Sequence, residues 1–233
     1  MTAVLIQDSL NNASIKLAEN INSLSSPSGN EIYKSVLPLL QWANYIYTAE
    51  RTGDCDEFID GFRASLVETI FCVSAGLARL ALFSMRSQID IILSWIYFKD
   101  HKKEYGKVQK SSYGFMLKSA VIKYLDEYEP NFRVRFATLT TEMTRTERDP
   151  YRLLSAHVHS QSLKTLPSAT DFSSLVASDA ICHELIVVQG EVTEYLSDIL
   201  FSCFGGKWAG LPAELTVTLK SRLSEKSLSQ VLS

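Results

Sequence analysis

The amino-acid sequence predicts an all-α protein, built as a helical bundle with long central helices and an N-terminal helical arm. Three observations support this prediction. Apolar residues recur at helical spacing along most of the 233-residue chain. Clusters of Pro, Gly and Ser divide the chain into segments of helix length. The alternation of apolar and polar residues that is typical of half-buried strands occurs only in FRVRF at 132–136, which is too short to predict a sheet.

The arm begins with a predicted helix over residues 3–24. Leu10, Leu17 and Leu24 repeat every seven residues on this helix, a spacing that brings them onto one face. An apolar face of this kind is typical of a contact between helices. The sequence therefore predicts that it contributes to self-association or to assembly with other chains.

A second helix is predicted over residues 31–51, with Pro38 either kinking it or marking its start. The segment TGDCD at 52–56 then breaks the helical pattern. We assign both helices to an arm over residues 1–55, and the remainder, residues 56–233, to a single helical domain.

The core of that domain is predicted to come mainly from residues 57–99, where Gly61 and Gly76 are the only breakers. We expect one long helix bent at Gly76, or two helices packed end to end. The polar segment 101–112 is interpreted as a connection. Further helices are predicted at about 114–127 and 131–144, from Pro150 onward, at about 171–203, and at about 210–232.

Charge is unevenly distributed along the chain, whose formal net charge is −3. Residues 99–152 hold 12 Lys and Arg against 8 Asp and Glu, a net charge of +4, whereas the flanking segments are both acidic. This middle segment is the candidate for contact with a polyanion, and RNA is the partner that we expect. The RNA-binding candidates are Lys102, Lys103, Arg145 and Arg148. The alternative is that these charges only form a solvated helix surface.

Other classes of site are not indicated by the sequence. The four cysteines lack the spacing of a zinc site or a disulfide framework, which favours a reducing compartment. No glycine-rich phosphate loop and no paired-histidine metal motif is present, so we expect neither cofactor nor metal. The N-terminus lacks the pattern of a secretion signal, and the most apolar stretch is interrupted by charges. We therefore expect a soluble, cytoplasmic protein without a membrane contact.

The most informative stretch is YRLLSAHVHS at residues 151–160. Asp149 as an N-cap and Pro150 at the first position predict that a helix begins here. Arg152 and His159 are seven residues apart, close to two helical turns, so they share a face. Ser155 lies one turn before His159 and is placed to orient its ring.

An arginine followed after four to six residues by a histidine resembles the signature of the HEPN superfamily of helical nucleases. Two pairs here have that spacing, Arg152 with His157 and Arg152 with His159. The surrounding sequence pattern LSxxVH favours His159. The segment 85–105 is similar to a second element of a bacterial HEPN-like group, in which an arginine and an acidic residue lie one turn apart. Arg86 and Asp90 occupy those positions, and they also have the spacing of a simple helix ion pair.

The resemblance implies a metal-independent endoribonuclease that acts as a toxin-like or defence effector. In such a site Arg152 would hold the phosphate and a histidine would act as acid or base. It also implies a homodimer or a higher even-numbered oligomer, and a partner protein from a defence operon. Leu153 departs from the polar residue that follows the arginine in many active members. The alternative is therefore a non-catalytic helical module that binds a partner protein or nucleotide.

Overall fold

The structure is a computed structural model that describes residues 3–24, 27–111 and 116–232. Over these ranges the chain forms eleven α-helices and no strand, which confirms the predicted fold class. The helices are α1 (Ala3–Leu24), α2 (Pro27–Ala49), α3 (Glu57–Ser74), α4 (Ala78–Phe98), α5 (Lys102–Ser111), α6 (Lys118–Tyr128), α7 (Phe132–Thr141), α8 (Pro150–Val158), α9 (Asp179–Phe204), α10 (Ala213–Arg222) and α11 (Glu225–Val231). None of the described helices is both long and apolar enough to cross a lipid bilayer.

The central helices α3 and α4 form an antiparallel hairpin, so both predicted arrangements of residues 57–99 were wrong. The Phe58 ring stacks on the Phe98 ring, and the Thr69 hydroxyl lies 3.0 Å from the Ser84 hydroxyl. The reversal occurs at Gly76, whose φ of +74° lies in the left-handed region. The amides of Gly76 and Leu77 donate to carbonyls at the end of α3, which closes the helix with a Schellman turn. Two helices that fold back in this way bury their apolar faces against each other.

Gly76 is expected to be required at this turn. Gly76→Ala should lower the free energy of unfolding by about 1–2 kcal/mol, because a side chain disfavours the left-handed conformation. An added Cβ would also lie 3.0 Å from the Ala177 carbonyl oxygen. Gly106→Ala in α5 is the matched control, since open space surrounds that position, and it should be neutral or slightly stabilising. Urea denaturation of both variants tests this, and equal stabilities would contradict it.

The hydrophobic core is one cluster to which α2, α3, α4 and α9 contribute most of the large side chains. Trp42 of α2 and Trp95 of α4 are completely buried, and both pack near Phe204 of α9. Among the described residues, the core cluster includes side chains from before and after residue 55, where the arm was predicted to end. The helix α2 is part of the main bundle, because its apolar face is covered by α3 and α9.

The helix α1 lies at the edge of this bundle. Only Ala13 is buried among its described side chains, while Leu10 is exposed and Leu17 is half-buried. The Asn20 amide donates to the Ala177 carbonyl at 3.0 Å, which ties α1 to the segment before α9. The side chain of Leu24, the third member of the predicted apolar face, lies outside the described residues.

Several helix boundaries differ from the sequence prediction. The basic segment after α4 is a helix, α5, whose strongly polar residues gave no apolar pattern to indicate it; none of its residues is buried. The long helix α9 begins at Asp179 instead of about 171, and the preceding residues form short turns. The last predicted helix is divided between Arg222 and Glu225, where the Ser224 hydroxyl accepts a bond from the Ser227 amide and caps α11. Capping by a local side chain explains why the chain restarts there.

Candidate active site

The histidine-containing segment folds as the short helix α8. It begins at Pro150, as predicted, and Asp149 before it forms an ion pair with Lys118 of α6. The helix has nine residues and ends at Val158, so His157 lies in its last turn and His159 caps its C-terminal end. Ser160 has a φ of +50° and turns the chain away from the helix axis. His159 itself has a φ of −94° and a ψ of 3°, outside the α-helical region, so the regular helix that carries Arg152 ends before it.

Arg86 fastens α8 to the central helix α4. Its Nε donates to the Ser155 hydroxyl at 3.0 Å, and its guanidinium carbon lies 3.5 Å from the centroid of the Tyr151 ring. Asp90, one turn along α4, forms an ion pair with the same guanidinium. Burial lowers the pKa of Arg86, although its side chain remains 14% exposed and its ordinary pKa is high enough to keep it charged. The structure thus brings Arg86, Asp90 and Ser155 together.

These contacts indicate that the Arg86 cluster holds two helices together. The Ser155 hydroxyl accepts a hydrogen bond from Arg86. Among the described residues, this hydroxyl forms no hydrogen bond with His159. Ser155 therefore does not orient the His159 ring in this structure, contrary to the expectation from their spacing. A guanidinium that is stacked on a ring and paired with a carboxylate is also less available to bind a ligand.

An open cleft of about 1160 Å³ lies beside α8, between it and helices α6, α7 and α9. Its charged lining residues are Lys118, Lys123, Asp126, Glu147, Arg148, Asp149 and Arg152, and its neutral polar residues include Ser119, Thr140, Tyr151, Ser155, Gln161 and Tyr195. Lys118 is paired with Asp149, and Asp126 with Arg133. The exposed Arg148 and Arg152 have no carboxylate partner among the described residues. The cleft therefore offers two guanidinium groups that can bind an anion.

Neither histidine of α8 lines this cleft, although Gln161, which follows them, does. His159 is exposed, and no described residue makes a hydrogen bond or ion pair with its ring. His157 is half-buried; burial lowers its pKa, and the charge of Arg79 lowers it further. Its ring is consequently neutral at pH 7, which disfavours it as a general acid.

The titration of His157 is expected to have a midpoint below 6.5, because both its surroundings and Arg79 oppose protonation. NMR titration of the ring protons measures this value directly. In the variant Arg79→Met the midpoint should move upward, because one of the two causes is removed. A wild-type midpoint at or above 6.5 would show that the ring is not buried as described.

The other RNA-binding candidates lie in three different environments. Arg148 lines the cleft. Lys102 and Lys103 are exposed on α5, beyond the far end of α4, and Lys102 is paired with Asp54. About 18 Å of helix separates Arg86 from Phe98 at that end, so these lysines are remote from α8.

Arg145 was predicted to bind RNA, but the structure places its side chain in the interior. Its side chain is only 1% exposed, and it forms ion pairs with Glu194 and Asp198 of α9. A guanidinium enclosed in this way has no free path to a phosphate, and Arg145 is therefore part of the interior. Sequence reasoning placed it on the surface because a basic residue in a basic segment is usually exposed.

Two cleft residues were missed by the sequence analysis. Lys118 lies between the Tyr151 and Tyr195 rings, with its Nζ 4.9 Å from the centroid of the first and 5.7 Å from that of the second. Lys123 lies five residues further along α6, is exposed, and is paired with Glu127. Both were counted in the positive segment 99–152, but only the packing of α6 beside α8 shows that they share a cleft with Arg152.

Comparison of the chain with models of known protein families, with curated proteins and with solved structures gave no match. The described residues also contain no group of His, Cys, Asp and Glu that could hold a metal ion. The geometry of the α8 region is therefore the basis on which a function can be proposed.

Proposed function

We propose that this chain is an RNA-binding protein that takes a single strand along the cleft beside α8, and that it cleaves the strand without a metal ion as a HEPN-type endoribonuclease. The observation that carries the proposal is the position of Arg152. It is exposed, it has no carboxylate partner among the described residues, it lines the cleft, and it lies seven residues before the exposed His159.

The cleft suits a phosphodiester backbone. Arg148 and Arg152 can each form two parallel hydrogen bonds to phosphate oxygens. Lys123 lies in the same cleft, where it is paired with Glu127. Contacts of this kind recognise the backbone rather than a sequence, so we expect broad binding to single-stranded RNA.

The chemistry needs a base for the 2′-hydroxyl and an acid for the leaving 5′-oxygen. His159 is free to act as either. It lies about 10 Å along the helix from Arg152, a distance that the long arginine side chain can largely span. One chain offers one such exposed histidine, so we propose a two-fold dimer that places the α8 segments of two copies side by side and supplies both groups.

Cleavage of total RNA in EDTA by the purified chain tests this function. We expect 5′ fragments that end in 2′,3′-cyclic phosphate. Arg152→Lys should lose cleavage because lysine keeps the charge but not the paired hydrogen bonds. Arg63→Lys, an exposed arginine on α3, is the matched control and should retain it. Cleavage that disappears with EDTA, or that survives in Arg152→Lys, would contradict the mechanism.

A second candidate function is a non-catalytic module that binds RNA, a nucleotide or a partner protein. The observation that favours it is that neither His157 nor His159 lines the cleft, while Leu153 does. Binding of labelled single-stranded RNA at several salt concentrations separates the two candidates. Each of Arg148→Ala and Arg152→Ala should reduce the salt dependence of RNA affinity by the equivalent of about one phosphate contact if the cleft binds RNA. If this result is found and the wild-type protein cleaves no RNA, the chain is a non-catalytic binding module.

A further inference from the structure

The segment 142–149, which connects α7 with α8, forms the part of the cleft wall that carries Arg148. Its residues, all of them described, form no helix or strand, so their backbone amides have no partners in a regular ladder. Backbone amides in such a segment are usually paired with side chains or water. The contacts that hold this segment therefore decide where the Arg148 guanidinium lies.

Two carboxylates of α9 hold the segment by its backbone. The Thr144 amide donates to Glu194 at 2.8 Å, and the Thr146 amide donates to Glu191 at 3.1 Å. Glu191 and Glu194 are three residues apart and therefore share one face of α9. A hydrogen bond to a charged acceptor is roughly twice as strong as one between neutral groups. The segment is thus fixed at two backbone positions shortly before Arg148.

Glu194 belongs to a buried group of four charges. Asp198 is paired with both Arg145 and Arg222, and its side chain is completely buried. Glu194 lies 3.1 Å from Arg145 and 2.9 Å from Arg222. Because Arg145 is itself a residue of the segment, this group joins the segment to α9 and α10. A variant of any of these four residues would disturb the interior, so none of them is suited to test the segment alone.

Glu191 has a simpler environment. It forms no ion pair with a described residue, and the Thr146 amide is its one hydrogen-bond partner in the described part of the chain. On the other side of Arg148, the Asp149 carboxylate is paired with Lys118. Arg148 is therefore placed between two points at which the chain is held, and Glu191 provides the first of them.

We propose that Glu191 is a positioning residue for Arg148: by holding the Thr146 amide, it keeps the Arg148 guanidinium where a phosphate can reach it. This role rests on the proposed binding of RNA to the α8 cleft. Its physical basis is preorganisation, because without the bond a bound strand must order the segment itself and loses affinity. The charge of Glu191 has the opposite effect, since a carboxylate beside the cleft repels a polyanion.

Binding of labelled oligouridine to three variants separates these two effects. Glu191→Ala removes the bond and the charge, and it should weaken binding about threefold, the contribution of one hydrogen bond of ordinary strength. Glu191→Gln removes the charge but keeps an oxygen that can accept from the Thr146 amide, so it should bind at least as tightly as the wild type. Glu184→Ala is the control for loss of charge alone. Glu184 is exposed two turns earlier on α9, without a partner among the described residues, and its removal should not weaken binding.

Two further measurements show whether Glu191 acts through the segment. In an Arg148→Ala background, Glu191→Ala should cause no additional loss of affinity, because the group that it positions is absent. Without RNA, hydrogen exchange of the Thr146 amide should be faster in Glu191→Ala than in Glu191→Gln or the wild type. Residue 191 is half-exposed, and alanine and glutamine both favour a helix, so both variants should fold.

Equal affinities of Glu191→Ala and Glu191→Gln, or a further loss in the Arg148→Ala background, would overturn the positioning role and leave RNA binding intact. If the wild-type chain bound no oligouridine, the proposed function would fail, and the exchange measurement would decide the role of Glu191 by itself. A Thr146 exchange rate that is the same in Glu191→Ala and the wild type would then overturn that role, and a faster rate would support it.

Discussion

The variant His159→Ala is expected to lose RNA cleavage by a factor of about 10²–10⁴, the usual effect of removing a general acid or base. The thermal melt should not change, since the ring is exposed and contacts no described residue through a hydrogen bond or ion pair. Single-turnover cleavage of a labelled RNA in EDTA measures the rate, and a binding assay on the same RNA shows whether affinity is preserved. We expect affinity to remain within a few fold, because Arg148 and Arg152 hold the backbone.

His183→Ala is the matched control for this variant. His183 is also exposed, lies on α9 and is absent from the cleft lining, so its removal should leave the rate unchanged. His157→Ala distinguishes the two motif spacings. If it abolishes cleavage while His159→Ala does not, the shorter Arg152-to-His157 spacing is the functional one. If His157→Ala and His159→Ala both cleave RNA at the wild-type rate, neither histidine acts as an acid or base in the cleavage.

The variant Asp198→Ala is expected to lower the free energy of unfolding by about 3–5 kcal/mol, the range found when one partner of a buried ion pair is removed. Asp198 is paired with Arg145 and Arg222, whose side chains are 1% and 10% exposed. Without the carboxylate, two buried positive charges would retain only Glu194 as a counter-charge. The wild-type arrangement therefore depends on all four groups being present together.

Urea denaturation of Asp198→Ala beside Asp179→Ala measures this effect. Asp179 belongs to the same helix, but its side chain is 64% exposed, so its loss should change stability by less than about 1 kcal/mol. Equal losses in the two variants would show that the charge group is not buried as described. Replacing Asp198, Arg145 and Arg222 together by apolar residues should recover most of the loss, because it removes the buried charges instead of leaving them unpaired.

Local signals in the sequence were sufficient for the helical class and for several helix boundaries. Pro150 begins α8, and α9 ends at Phe204 before Gly205, as predicted. Leu215, Leu219 and Leu223, which are four residues apart in the sequence, are all buried. These features depend on residues close together in the chain, where spacing alone determines which side chains share a face.

The tertiary structure decided how these helices face one another. Gly76 was visible as a breaker, but its left-handed φ and the reversal into a hairpin follow from burying the apolar faces of α3 and α4 against each other. Arg86 was identified with Asp90, yet its bond to Ser155 joins positions 69 residues apart. No local pattern specifies such a contact.

For the candidate site, the sequence by itself determined which residue types lie on α8 and directly after it: Arg152, His157 and His159, at spacings that suit phosphate binding and proton transfer. Only the tertiary structure decided which of the basic residues reach one surface. It places Arg148 and Arg152 in one cleft with lysines of α6 and encloses Arg145 between carboxylates of α9. The physical reason is that exposure depends on the packing of distant helices, whereas charge and spacing are properties of the chain alone.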